Sequence, residues 1–161
     1  MDLICAESRT FATWREIIRS GRRNFLAKAQ RLYGMTENEI SKVFVDSALT
    51  VHRELGPGLL ETVYEVTLAH ELKQRGLNVQ RQVPVPTKYR GVVFDEAFRA
   101  DIVVDEKVII ELKSVERVIE AHKKQVQTYL RLPGCKLGFL LNFSEALMKR
   151  GITRVVNGLE D

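Results

Sequence analysis

The 161-residue chain is 45% hydrophobic and 29% charged, the balance of a folded domain rather than a disordered tail, and its length suits one core better than two. No uncharged apolar run approaches the length of a bilayer span, the longest lying near 137–143. The net charge of +4 belongs to residues 1–34, with seven basic and three acidic side chains; the rest hold eighteen of each (25 less 7, 21 less 3), so bulk charge gives no argument for a nucleic-acid partner.

Residues 1–34 read as a basic N-terminal extension, helical or disordered, ahead of one domain over 35–161. Phe11, Trp14, Ile18, Phe25, Ala29 and Leu32 fall near one helical stripe with arginines between them. A docking helix, a basic arm, a membrane-surface segment and a translated upstream extension all fit. At Thr36-Glu37-Asn38-Glu39 a capping box opens a helix whose apolar stripe is Ile40, Val43, Phe44, Ala48, Val51 and Leu55. Gly56-Pro57-Gly58 breaks it, and a second helix is expected over 59–74, stopping at Gly76. Alternation then predicts a strand over 77–85, with Pro84 and Pro86 marking an edge, and a short strand from Val92-Val93-Phe94. Two more strands, over 98–104 and 107–113, flank an acidic turn at Asp105-Glu106. A third helix carries Ile119, His122, Val126, Tyr129 and Leu130 and ends at Pro133-Gly134. A buried strand over 136–143, a short helix over 144–149 capped by Ser144, and a last strand over 152–156 complete the order α-α-β-β-β-β-α-β-α-β. This predicts the α/β class: a mixed β-sheet flanked by helices on both faces. Cys5 and Cys135 are too far apart in sequence for a metal knuckle or a redox pair, which suits a reducing, cytoplasmic setting.

Chemistry concentrates where charge interrupts apolar strands. In Val108-Ile109-Ile110-Glu111-Leu112-Lys113, alternation puts Ile109, Glu111 and Lys113 on one face. In the preceding strand it puts Asp101 with Arg99 and Val103. Folding the two about Glu106 sets Val104 against Val108, Asp101 against Glu111 and Arg99 against Lys113, and any odd slip would separate the acids. Two carboxylates about 5 Å apart at an effective dielectric of ~20 repel by roughly 3 kcal/mol. Three devices could offset that: an ion pair from Lys113 to Asp101, a protonated carboxyl, or a divalent cation. Oxygen ligands without a His or Cys cluster suit Mg²⁺ or Mn²⁺ rather than Zn²⁺. Asp-x₉-Glu-x-Lys alone also fits a wet sheet surface; its place inside Val/Ile/Leu runs argues for a task.

Two helices add candidates. Glu61 and Tyr64 share a face near the start of the second helix, where Glu61 could simply complement the dipole and Tyr64 pack at the core edge. His122, Gln125 and Tyr129 recur along the third helix, where a neutral amide and a phenol could hold a phosphate or a water, or serve as packing and solvated residues.

Gly58-x-x-Glu61-x-x-Tyr64, Phe98-Arg99-Ala100-Asp101, Ile110-Glu111-Leu112-Lys113 and Gln125-x-x-x-Tyr129-Leu130 together resemble the bacterial Gly-x-x-Glu-x-x-Tyr (GxxExxY) family. That family is placed in the PD-(D/E)XK nuclease superfamily, and the helix motifs are similar to its RecB-like branch. The likeness runs from about Met35 to about Val156, with Ala100 standing where the nominal motif has Pro. It implies a restriction-endonuclease-like core and metal-dependent hydrolysis of phosphodiester bonds, with DNA as the foremost substrate. It further implies that Asp101, Glu111 and the Leu112 carbonyl hold Mg²⁺ or Mn²⁺, that Glu61 completes the shell, and that Lys113 assists the attacking water. Gln125 and Tyr129 would assist near the phosphate. Tyr64, Arg99, His122 and Lys123 are the expected substrate contacts, and a second copy of the chain is a candidate partner. The alternative is a nuclease-like fold used for binding or assembly without turnover.

Overall fold

The computed structural model describes residues 34–131 and 135–159. The expectations for the N-terminal extension, for Cys5 and for the Pro133-Gly134 stop lie outside the described residues.

Helix α1 (Glu37–Leu55) starts on the expected capping box. The Thr36 hydroxyl accepts from the Glu39 N–H at 3.3 Å and the Thr36 N–H donates to the Glu39 carboxylate at 2.9 Å, so two otherwise unpaired donors are satisfied. Its stripe Ile40, Phe44, Ala48 and Val51 is buried, the 3–4-residue spacing of one helix face. The chain turns at Gly56 (φ 69°) and Gly58 (φ 98°), left-handed values open to residues without a Cβ. Helix α2 (Glu61–Gln74) follows and ends just before Gly76.

The sheet has five strands in sequence order: β1 (Val79–Tyr89), β2 (Val92–Val104), β3 (Val108–Lys113), β4 (Leu137–Asn142) and β5 (Ile152–Val156). Only β3–β4 is parallel, with α3 (Glu120–Arg131) as its crossover, so the sheet is mixed. A short helix, α4 (Met148–Gly151), precedes β5. It begins at Met148, with Leu147 rather than the expected Ser144 at its N-cap position.

The strand count corrects the expected order by one. Val92-Val93-Phe94 and the stretch from Phe98 to Val104 belong to a single strand, β2, giving α-α-β-β-β-α-β-α-β. The register explains why: Val85 pairs with Phe98 and Thr87 with Phe94, so one β1 residue, Pro86, faces three on β2. Pro86 has no N–H to offer the ladder, and a bulge in the partner absorbs the gap without ending either strand. The two prolines do lie on an edge strand, as their missing donors require.

Helices cover both faces. On one, α1 reaches β4 through Phe44 and Phe139, whose rings lie 4.4 Å apart. On the other, Val126, Tyr129 and Leu130 of α3 pack with Val103, Ile109 and Leu140. Gly138 permits that approach: a Cβ there would stand 3.0 Å from Val126 and 3.1 Å from Leu130. Among the described residues no helix is long and apolar enough to cross a membrane.

Candidate active site

The β2–β3 hairpin has the expected register. Val104 pairs with Val108, Val103 with Ile109 and Ile102 with Ile110 across a turn whose Asp105 (φ 49°) and Glu106 (φ 57°) are both left-handed. Beyond Ile102–Ile110 the ladder gives way to a side chain: Asp101 Oδ2 accepts from the Leu112 N–H at 2.8 Å. The expected opposition of Arg99 and Lys113 is therefore replaced, and Lys113 pairs instead with Asn142 of β4. Strict alternation also fails here. Phe98 touches Tyr129 (centroids 5.4 Å) and Ala100 joins Val103 in the α3-side cluster, so the face changes at Asp101. The carboxylate is thereby brought against the edge of β3. Backbone N–H and C=O of a strand residue share an edge, so the Leu112 carbonyl faces the same way.

Glu111 is 3% exposed. Its Oε1 accepts from Lys113 Nζ at 2.8 Å and from Gln125 Nε2 at 2.8 Å, while its Oε2 is buried with no hydrogen-bond partner. Burial, then the charge on Asp101, pushes its carboxyl up to about 7 despite the Lys113 ammonium. Burial likewise raises Asp101, against the opposing pull of the Leu112 N–H and Lys113. Burial alone would lower Lys113; its bond to Glu111 and the nearby charges of Glu111, Asp101 and Glu61 outweigh that and keep it cationic. Of the devices that could offset two facing acids, the ion pair thus forms to Glu111 rather than Asp101, and the raised Glu111 carboxyl is a second.

Helix α3 brings Gln125 and Tyr129 together at i and i+4: the Gln125 amide donates to Glu111 and, at 2.8 Å, to the Tyr129 hydroxyl. Burial raises the Tyr129 phenol and keeps it neutral. Glu61 reaches the site from α2, its Oε1 accepting from the Ser114 N–H at 2.8 Å, one residue past Lys113. Arg99 is exposed on β2 and donates to the Gln82 carbonyl at 3.4 Å.

Tyr64 is not among the groups facing the acids, which corrects its expected role as a substrate contact. It is fully buried, stacks on Phe143 at 4.1 Å, donates to the Gly56 carbonyl at 2.7 Å and accepts from the Leu59 N–H at 3.0 Å. It clamps the Gly56–Gly58 loop and so fixes where Glu61 begins α2. His122 and Lys123 have local partners: His122 Nδ1 accepts from the Ile119 N–H at 3.3 Å, and Lys123 pairs with Glu120 at 2.7 Å. Both serve the first turn of α3.

Two residues escape a reading of the sequence. Glu65, one turn beyond Glu61, is 4% exposed and bound by Arg81 and Gln82. Gln82 also reaches Asp101. Glu65 resembles any helix-surface acid, and only the tight apolar run around it, Leu68, Ala69 and Leu72, hints at burial.

Among the described residues no three His, Cys, Asp or Glu side chains form a ready metal cage. The oxygens on offer are those of Asp101, the partnerless Glu111 Oε2 and the Leu112 carbonyl. That hard, incomplete set fits Mg²⁺ or Mn²⁺, which retain several waters, and a cation would satisfy the orphaned oxygen.

No curated protein matches the chain. A solved structure titled "Crystal structure of SSO0001" is similar at 18% identity, with 88% of this chain and 80% of that chain covered at a TM-score of 0.46. The model of a family described as PD-(D/E)XK nuclease superfamily matches residues 38–155, the span that holds the paired strands, their two acids and the lysine. The mixed sheet between helices is the restriction-endonuclease-like α/β arrangement, and the chain belongs to the PD-(D/E)XK nuclease superfamily.

Proposed function

We propose that this protein is a nuclease that hydrolyses phosphodiester bonds of DNA with Mg²⁺ or Mn²⁺ held by Asp101, Glu111 and the Leu112 carbonyl. One observation carries the reading: a buried carboxylate oxygen, Glu111 Oε2, lacks any partner beside a second acid and an ammonium. Leaving such an atom unpaired is costly, and a cation removes the cost. When bound, the cation supplies positive charge to the phosphoryl group and lowers the pKa of water.

The chain's own groups do the rest. Glu111 Oε1 is committed to Lys113 and Gln125, which leaves Oε2 for the cation and pins the ammonium to the site face. Lys113 offers a fixed positive charge where negative charge develops and orients the attacking water. Gln125 ties Glu111 to the neutral Tyr129 hydroxyl, a donor within reach of the same region. Glu61, held by the Ser114 N–H, adds negative charge at the mouth of the site. The order of the helix motifs supports the GxxExxY, RecB-like assignment.

The test is cleavage of duplex DNA, single-stranded DNA and RNA with Mn²⁺ and with chelator. Wild type should cut DNA only with the metal, and Asp101→Ala and Lys113→Ala should be folded and silent. Normal cutting by both variants would overturn the reading. The Lys113–Glu111 ion pair is what a binding module without turnover would retain. That reading predicts DNA retention without cleavage under every metal condition, and light scattering of the same samples tests the second copy as a partner.

A further inference from the structure

The Gln82 side chain joins two acids from different layers of the fold. Glu65 of α2 is buried; its Oε1 accepts from Arg81 Nε at 2.8 Å and its Oε2 from Gln82 Nε2 at 2.8 Å. The same Gln82 nitrogen lies 3.3 Å from Asp101 Oδ1. The Leu112 N–H holds Oδ2 at 2.8 Å, so both oxygens of Asp101 are tethered. A carboxylate can only accept, so Glu65 dictates which end of the amide faces it: the NH₂ must, and its second hydrogen is left for Asp101.

The backbone at Gln82 is unusual. Its φ is +52°, although it stands inside β1 between the Arg81–Ile102 and Val83–Ala100 pairs. The other described non-glycine residues with positive φ, Arg90, Asp105 and Glu106, lie at hairpin turns, where that geometry serves the reversal. A Gln with its Cβ in the left-handed region is disfavoured, and such outliers persist where the surroundings over-determine them. No turn requires this one. What it achieves is to direct a strand side chain toward both Glu65 and Asp101.

We propose that Gln82, anchored by Glu65 and through it by Arg81, is a positioning residue that locks the Asp101 carboxylate for cation binding and so sets the divalent-metal affinity of the site. The inference rests on the reading of Asp101 as a metal ligand, and it adds residues outside the Asp-Glu-x-Lys motif. Partners that orient a metal ligand typically contribute 10–100-fold to metal affinity.

Gln82→Gly accepts the positive φ freely and removes the amide. Relief of the positive φ is set against the loss of a donor to the buried Glu65 Oε2, so its melting temperature in chelator serves as the check that it is folded at the titration temperature. Its Mn²⁺ affinity, measured on the full chain by paramagnetic resonance titration of free Mn²⁺, should fall about 10–100-fold. Glu65→Gln, nearly the same shape, can present either end of its amide to Gln82 and should weaken Mn²⁺ binding in the same direction. In cleavage assays both variants should need more Mn²⁺ for half-maximal rate and approach the wild-type maximum at saturation. Wild-type binding with Gln82→Gly within two-fold of it would overturn this inference and leave the metal site standing. No Mn²⁺ binding by wild type would overturn the metal reading itself.

Discussion

The two faces of the central strands are buried to almost the same degree and are used differently. Against α1 and α2, Ile102, Ile110, Leu112, Phe139 and Leu141 are shut from water with Phe44, Leu68 and Tyr64. On the face toward α3, Ile109 and Leu140 are equally buried, but Glu111, Lys113 and Asn142 continue the same strands. The change comes within two residues along β3. Asn142 is wholly satisfied, its side chain bonding both the N–H and the C=O of Val115. Glu111 is half satisfied. Burial therefore does not distinguish a core from a site, and neither does an orphaned oxygen alone, since Asp105 Oδ2 in the hairpin turn is orphaned too; an orphaned oxygen beside a second acid and an ammonium does.

The largest expected effect sharpens this contrast on the charged face. Glu111→Gln should lower metal-dependent cleavage by on the order of 10³-fold or more, several kcal/mol of barrier. Its unfolding free energy in chelator should fall only in part, because the Lys113 ammonium loses its ion-pair partner while the repulsion between Glu111 and Asp101 is relieved. Phe139→Ala on the opposite face should do the reverse, costing about 3–5 kcal/mol in denaturant unfolding while the surviving folded fraction cuts at the wild-type rate. If Phe139→Ala instead silenced a fully folded protein, the division between the faces would break. Gly151→Ala tests how β4 is seated: its Cβ would stand 2.3 Å from the Asn142 carbonyl oxygen, so a cost of about 1–3 kcal/mol is expected in the same unfolding curves. Tyr64→Phe should cost about 1–3 kcal/mol by stranding the Gly56 carbonyl and Leu59 N–H, with KM for DNA unchanged, which separates a loop clamp from a substrate contact.

The smallest effect is a slope with pH. Glu111 is held up to about 7 from an ordinary 4.5 by burial and by Asp101, with Glu61 adding to the push and Lys113 opposing it. The folded state keeps this proton longer than the unfolded chain does. Glu111 thus favours folding most below about 4.5 and loses that advantage as pH climbs through about 7. Thermal melts in chelator should fall across this window, and Glu111→Gln should flatten the fall.

Much of this was legible because it is local. The capping box, the hairpin register and the shared face of Glu111 and Lys113 follow from short-range rules of spacing. The misreadings came where two segments act on each other. Residues 92–94 and 98–104 looked like two strands because the bulge between them is legible only from its partner, Pro86. Gln82 was invisible because a left-handed residue in a strand is normally marked by Gly or Asn, and here the marking comes from Glu65, seventeen residues away. Tyr64 sits on the expected helix, but periodicity gives its face and not what the hydroxyl meets, here the Gly56 carbonyl and the Leu59 N–H.

Crystals soaked in Mn²⁺ and measured at an anomalous wavelength test the central claim most directly. The account predicts one strong peak within coordination distance of an Asp101 oxygen and of Glu111 Oε2, with Lys113 still on Oε1. Density with no peak there, and Glu111 Oε2 bonded to a protein donor instead, would contradict it.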